Sequence, residues 1–325
     1  MNQVSGTPVR IAVLAGGDSA EREVSLESGR SVHAALLQRG HLVAMYNPAS
    51  TPLDQISKDT EVILPMLHGT GAEDGRLQQA LDATGIPWIG SSAAASQLTF
   101  DKIRTQHVLR SAGLPVAPSI ALNRQQLPAT FLSASKSIGF PQVVKPAEQG
   151  SSVGVSIVRC ESDLADAIQE VVKWGDRFLI EQFIPGRELT VPVIDGISFP
   201  AVEIIPSRSW YDYQAKYIDD ATQYLVEPPN LPPELDQLVQ RTCEVCGVSA
   251  ISRTDLRIDN NGNPFILEIN TIPGMTSHSL VPMSAQSWGI SLGELCEQLI
   301  LKALRRVTQT SWERSRKRHS IDRPV

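Results

Sequence analysis

The stretch AISRTDLRI-DNNGNP-FILEIN, residues 250–270, constrains the fold of this chain more than any other. Two strand-like runs joined by a short polar connection read as an antiparallel hairpin. Along a strand, residues i and i+2 face the same way. Arg253 and Asp255 therefore share one face of the first strand, and Glu268 and Asn270 share one face of the second. The hairpin allows Asp255 to lie opposite Glu268. A rigid turn at Pro273-Gly274 follows at once, and then a run of hydroxyl side chains that includes Ser279. Carboxylate and amide oxygens on adjacent strands are hard ligands, suited to Mg²⁺, which takes few carboxylates and fills its octahedron with water and phosphate oxygens. A pair of exposed acids at an ordinary hairpin is the plainer reading of the same residues.

The N-terminal part has a different rhythm. VRIAVLA (9–15) reads as a buried strand, residues 22–38 as a helix ending at Gly40, EVILPML (61–67) as a strand and 76–85 as a short helix. Strand–helix alternation implies an α/β unit with a parallel sheet. A helix over 97–112 follows, with a Gly-Leu-Pro stop. Strands at 140–146, 153–159 and 178–183, with a helix at 161–173, then suggest an antiparallel α+β unit. A polar loop at 206–224, a helix at 232–246 and the hairpin complete the pattern. The expected division is 1–90, 91–183 and 184–325.

Several function classes are disfavoured. No run approaches the roughly 18 apolar residues of a membrane span, and the short apolar run near the start enters a Gly-Gly turn, unlike a signal peptide. Four cysteines in 325 residues do not form a disulfide framework, which points to a reducing cytoplasm. Cys243 and Cys246 form a C-x-x-C with no second pair at zinc spacing, and read as buried cysteines. Residues 305–325 carry seven Arg or Lys against Glu313 and Asp322, a local +5, so the rest of this chain of net charge −6 carries −11. A solvated basic end fits that distribution, and the acidic body argues against a nucleic-acid-binding surface.

Three further stretches carry chemistry. The turn AGGDSAEREVS (15–25) lacks the third glycine of a dinucleotide fingerprint and places Glu21 where a phosphate would approach the following helix. A carboxylate there competes with an anion and suits a cation such as an amino group, or simply caps the helix. The loop KPAEQGSSVGVS (145–156) sets Lys145, two glycines and the hydroxyls of Ser151 and Ser152 between two strands, which suits phosphate oxygens. SRSWYDYQAKYIDDATQYL holds four of the five tyrosines, and reads as a compact loop that could bring Lys216 and Tyr217 onto a substrate as a lid. ATP brings about four negative charges, and phosphoryl transfer needs them neutralised and aligned. Two Mg²⁺ with Lys102, Lys145, Lys216 and Arg253 supply that.

The motifs GGDSAEREVSLESG, LHGTGAEDG, KPAEQGSSVGVS, YDYQAKY and EINTIPGMTSHSLVPM, in this order, resemble those of the D-alanine–D-alanine ligase family of the ATP-grasp superfamily, over about residues 9–304. The resemblance implies an ATP-grasp fold with an N-terminal parallel-sheet domain, ATP and two Mg²⁺ (or Mn²⁺) as cofactors, D-alanine as substrate, and a cytoplasmic homodimer. It implies that Glu21 binds the first substrate's ammonium in a network with Ser151 and Tyr217, with His68 nearby. Arg253 and the Gly274 N–H would stabilise the oxyanion, and Ser279 and Leu280 would hold the second substrate's carboxylate. Lys102, Lys145 and Lys216 would contact phosphates, with Ser151 and Ser152 in the phosphate loop. Glu181 and Phe183 would receive adenine and Glu188 the ribose, while Asp255, Glu268 and Asn270 would hold the metals. SRTDL around Arg253 and FDK at 100–102 depart from the family's commoner residues but keep the functional side chains. D-Lactate or D-serine as second substrate, and an ATP-binding protein without turnover, are the alternatives.

Overall fold

The structure is a computed structural model that describes residues 7–127, 129–207 and 221–305. Lys216 and Tyr217 lie outside the described residues.

The first sheet is parallel, in the order β2-β1-β3, from β1 (Arg10–Leu14), β2 (Leu42–Tyr46) and β3 (Val62–Pro65). β1 and β3 are nearly continuous buried runs, as parallel strands covered on both faces must be. β2, absent from the pattern expected above, lies on the sheet edge with only half-buried and exposed residues and so carries no clear apolar signal. Helix α1 (Arg22–Gln38) crosses from β1 to β2. It packs so closely that a Cβ at Gly29 would collide with that of Ala15. Helix α2 (Arg76–Thr84) is bracketed by Gly75 and Gly85, both left-handed at φ +92° and +70°.

The single helix expected at 97–112 is two, α3 (Ala93–Phe100) and α4 (Lys102–Ser111). Asp101 leaves helical geometry and its carboxylate accepts the N–H groups of Ile103 and Arg104, which makes it an N-cap that starts α4 at Lys102. The second sheet is antiparallel, in the order β4-β7-β5-β6: β4 (Ser119–Asn123), β5 (Gln142–Pro146), β6 (Ser156–Val158) and β7 (Arg177–Gln182). Helices α5 (Ala129–Ile138) and α6 (Leu164–Val171) bury Phe131, Leu164 and Val171 against its Val144, Phe178 and Ile180. β4 and α5 were not anticipated either.

The third sheet runs β11-β10-β8-β12-β13, with a short β9 (Ile197–Ser198) paired to β8. Its strands are β8 (Gly186–Ile194), β10 (Val202–Ile205), β11 (Gln223–Val226), β12 (Ile251–Asp259) and β13 (Pro264–Asn270). Helix α7 (Leu235–Val245) covers one face through Leu235, Val239 and Cys243. Burial pushes the Cys243 thiol up and that of Cys246 up to about 12, which keeps both protonated, as expected of structural cysteines. Helix α8 (Leu280–Ser287) and the helix over 292–305 send Val281, Leu295 and Ile300 into the core of the first sheet. The fold is therefore the mixed α/β and α+β arrangement expected.

The β12–β13 hairpin pairs Asp255 with Glu268, as anticipated, and Arg253 with Asn270. The register then shifts, and Leu256 pairs with Ile266. This bulge places Leu267 and Glu268 together on the cleft side, whereas Ile266 and Ile269 are buried with Leu109 and Cys246. A simple two-residue alternation would have put Ile266 and Glu268 on one face. Bulges that re-aim a side chain in this way are over-represented beside functional sites.

Candidate active site

Two clefts adjoin, and Glu268 lines both. The first lies between the second and third sheets. Lys145, at the end of β5, is almost fully buried and its Nζ lies 2.7 Å from Glu181 Oε2. Glu181 also accepts from the side-chain amide of Gln106 on α4, whose own Oε1 accepts from Ser119. Lys102 Nζ donates to the Gln149 carbonyl and lies 3.3 Å from Glu268 Oε2. Ser152, Phe183 and Glu188 line the same cleft. Ser151 and Ser152 sit at φ +51° and +59°, a left-handed pair that costs non-glycine residues roughly 1–2 kcal/mol each. Strain of this kind persists where the surroundings over-determine it, commonly at ligand clamps.

The second cleft gathers the residues expected around the amino-acid substrates. Glu21 is the residue preceding α1, and its Oε1 accepts the Ser151 hydroxyl from the loop between β5 and β6. Arg253 grips Asp255 in a two-point fork, Nε to Oδ1 and Nη2 to Oδ2, each 2.8 Å. Asp255 also accepts from Thr190 at 2.6 Å and from the Asn270 amide at 3.1 Å. Past β13, a Cβ on Gly274 would come within 2.8 Å of Ser279 Oγ, so a larger residue there would displace that hydroxyl. Ser279 Oγ accepts the Thr276 N–H at 2.9 Å, and Leu280 opens α8. A helix start of this kind offers backbone N–H groups to a carboxylate.

His68 and Glu73 complete the floor. His68 is buried and its Nδ1–H donates to the Ile272 carbonyl at 2.9 Å. Burial holds its pKa below the usual histidine value, against the opposing pull of the Glu21 charge. Glu73 was not singled out in the sequence, although it sits in LHGTGAEDG. Its Oε2 accepts the Gly69 N–H at 2.9 Å and its Oε1 the Ile272 N–H at 3.4 Å, which ties the loop after β3 to the loop after β13. Burial first, then the charges of Glu21 and Glu268, push its carboxyl up to about 8, against those two hydrogen bonds. Below about pH 4.5 it is protonated folded and unfolded alike. Between there and about pH 8 only the unfolded chain releases the proton, so stability falls as pH rises. The Glu73→Gln variant should lack that decline. Urea melts of both proteins from pH 5 to 9 test this, and parallel curves would show that Glu73 is ionised in the native protein.

Among the described residues no group of three or more His, Cys, Asp or Glu side chains is gathered at metal spacing. The expected set of two carboxylates and one amide nevertheless fits a hard cation. Asp255, Glu268 and Asn270 meet on paired strands, and each carboxylate already has a cation beside it, Arg253 and Lys102 respectively.

The match to known proteins covers both clefts. Residues 108–301 match the family described as "D-ala D-ala ligase C-terminus". A D-alanine–D-alanine ligase of Gloeobacter violaceus is 39% identical over 302 residues, 91% of this chain and all of that protein. One from Glaesserella parasuis is 42% identical over 294 residues, 90% of this chain and 97% of that one. The chain belongs to the D-alanine–D-alanine ligase family. Two solved structures of the Bacillus anthracis ligase agree with the fold. One superposes with a TM-score of 0.81 at 33% identity, covering 93% of this chain and 99% of that one. The other, complexed with ATP, has a TM-score of 0.79 at 30% identity and the same coverage. ATP-grasp architecture is thus shared along nearly the whole chain. Every family residue expected within the described part falls in or between the two clefts. Glu73 and Gln106 are the additions that the structure makes. No helix among the described residues is long and apolar enough to cross a membrane.

Proposed function

We propose that this protein joins two D-alanine molecules at the expense of ATP. The observation that carries the reading is the adjacency at Glu268: a lysine-lined cleft on one side, and on the other a cleft with an ammonium acceptor, an arginine and a helix start. In the first step a carboxylate oxygen of one D-alanine attacks the γ-phosphorus, and the bond to the bridging β,γ-oxygen breaks, giving ADP and an acyl phosphate. Glu21 holds that substrate's ammonium, and Ser151 fixes the Glu21 carboxylate. In the second step the neutral amine of the other D-alanine attacks the acyl carbon. Arg253 and the Gly274 N–H receive the developing oxyanion; the C–O bond to phosphate then breaks and the amine proton is released. Ser279 and Leu280 hold the second substrate's carboxylate. Lys102 and Lys145 bind phosphates, with Ser151 and Ser152 in the loop beside them; Glu181, Phe183 and Glu188 face the nucleoside. Lys216 and Tyr217 belong to the same reading, as does a cytoplasmic homodimer with no nucleic-acid partner.

Asp255, Glu268 and Asn270 would hold Mg²⁺, or Mn²⁺, and such ions neutralise phosphate charge during transfer. The 1–90, 91–183 and 184–325 division is part of the proposal. ADP release measured with D-alanine, D-serine and D-lactate as second substrate tests it. Release that requires D-alanine and yields the dipeptide is expected. Preferential ester formation at neutral pH would make the chain a depsipeptide ligase, and ATP binding without turnover would leave it a nucleotide sensor.

A further inference from the structure

On the cleft face of β12, Arg253 and Asp255 are followed at the same spacing by a third charged residue, Arg257. Nothing in the chemistry above uses it. Its side chain is 15% exposed and its guanidinium is almost fully committed. Nε donates to the Ile184 carbonyl at 2.6 Å and Nη2 to the Gly186 carbonyl at 2.7 Å. Nη1 pairs with Glu188 Oε2 at 2.7 Å, and Cζ lies 5.2 Å from the centroid of the Phe183 ring. All four partners lie on the segment that leaves β7, crosses from the second sheet to the third and enters β8. That segment contributes Phe183, Ile184 and Glu188 to the wall of the lysine-lined cleft.

We propose that Arg257 is a nucleotide-positioning residue, which locks the β7–β8 crossing so that the nucleoside end of the cleft is formed before ATP arrives. A connection between two sheets lacks ladder partners for its carbonyls, which would otherwise need water. One planar fork satisfies two of them while a carboxylate balances its charge, an arrangement a lysine ammonium does not reproduce. The cation over the Phe183 face fixes that ring as well. The ordering cost of the wall is then met in the free protein and does not subtract from binding. Phosphate contacts assigned to Lys102 and Lys145 do not involve this residue.

The inference rests on the ligase reading for the identity of the nucleotide, and its test separates the two. ADP and a non-hydrolysable ATP analogue are titrated calorimetrically into wild type, Arg257→Met and Arg257→Lys, alongside steady-state ligation and melting curves. Loss of charge-assisted hydrogen bonds should weaken both nucleotides by the same factor, roughly tenfold or more. KM for ATP should rise with it, while kcat at saturating ATP and KM for D-alanine stay close to wild type. The lysine variant should resemble the methionine one. Unchanged ADP affinity overturns the proposal. So does a loss that grows with phosphate number, which would make Arg257 a phosphate ligand, or a parallel fall in every parameter. If Arg257→Met does not fold, Arg257→Lys and Arg257→Gln must show the same split. A wild-type protein that ligates while its variants bind ADP normally refutes only this inference. A wild type that binds no nucleotide refutes the ligase reading as well.

Discussion

Replacing Arg253 with methionine should lower kcat by roughly 10²–10³, the loss typical when one preorganised oxyanion donor is removed. The geometry explains why so much rests on one side chain. Arg253 and Asp255 are two residues apart on β12, and the two-point fork between them fixes the guanidinium plane. Asp255 is in turn held by Thr190 and Asn270, so the arginine is aimed from β12, β8 and β13 together. A donor held this firmly need not reorganise as charge develops on the substrate. The same substitution leaves a nearly buried carboxylate without its guanidinium, so part of the damage will be to stability. The two effects separate if kcat is measured where melting curves show the variant fully folded. Arg253→Lys keeps the charge and loses the fork, and should recover only part of the rate. A folded Arg253→Met enzyme with kcat within about tenfold of wild type would remove Arg253 from the oxyanion site.

The hairpin that carries Arg253 was legible because period-two alternation and a tight polar connection act locally. Cross-strand partners followed from facing alone, as the pairing of Asp255 with Glu268 shows. The bulge at Leu267 was not legible, because an extra residue leaves no trace in composition. Where tertiary context decides, the sequence is silent: β2 escaped because an edge strand need not be apolar, and the α3–α4 break because an N-capping Asp resembles any polar residue within a helix. Glu73 and Arg257 were missed for a related reason. Both are ionisable residues whose partners, Ile272 for one and Ile184 and Gly186 for the other, are backbone groups brought near only by the fold. The two-residue spacing of Arg253, Asp255 and Arg257 was the one available signal for Arg257.

The Glu21→Gln variant should weaken the first D-alanine far more than ATP. The carboxylate stands at the start of α1, where the helix dipole stabilises negative charge, and accepts from Ser151 within the second cleft. Its proposed partner is an ammonium. A charge-assisted hydrogen bond contributes about 1.5–3 kcal/mol, so KM for the first D-alanine should rise by roughly 10- to 150-fold while KM for ATP changes little. Equal losses for both substrates would make Glu21 a structural link to the phosphate loop and nothing more. A second readout does not depend on turnover. Part of the upward shift at Glu73 comes from the Glu21 charge, so removing that charge should bring the Glu73 carboxyl down from about 8. The fall of stability with pH that Glu73 imposes should then be complete at lower pH in Glu21→Gln than in wild type.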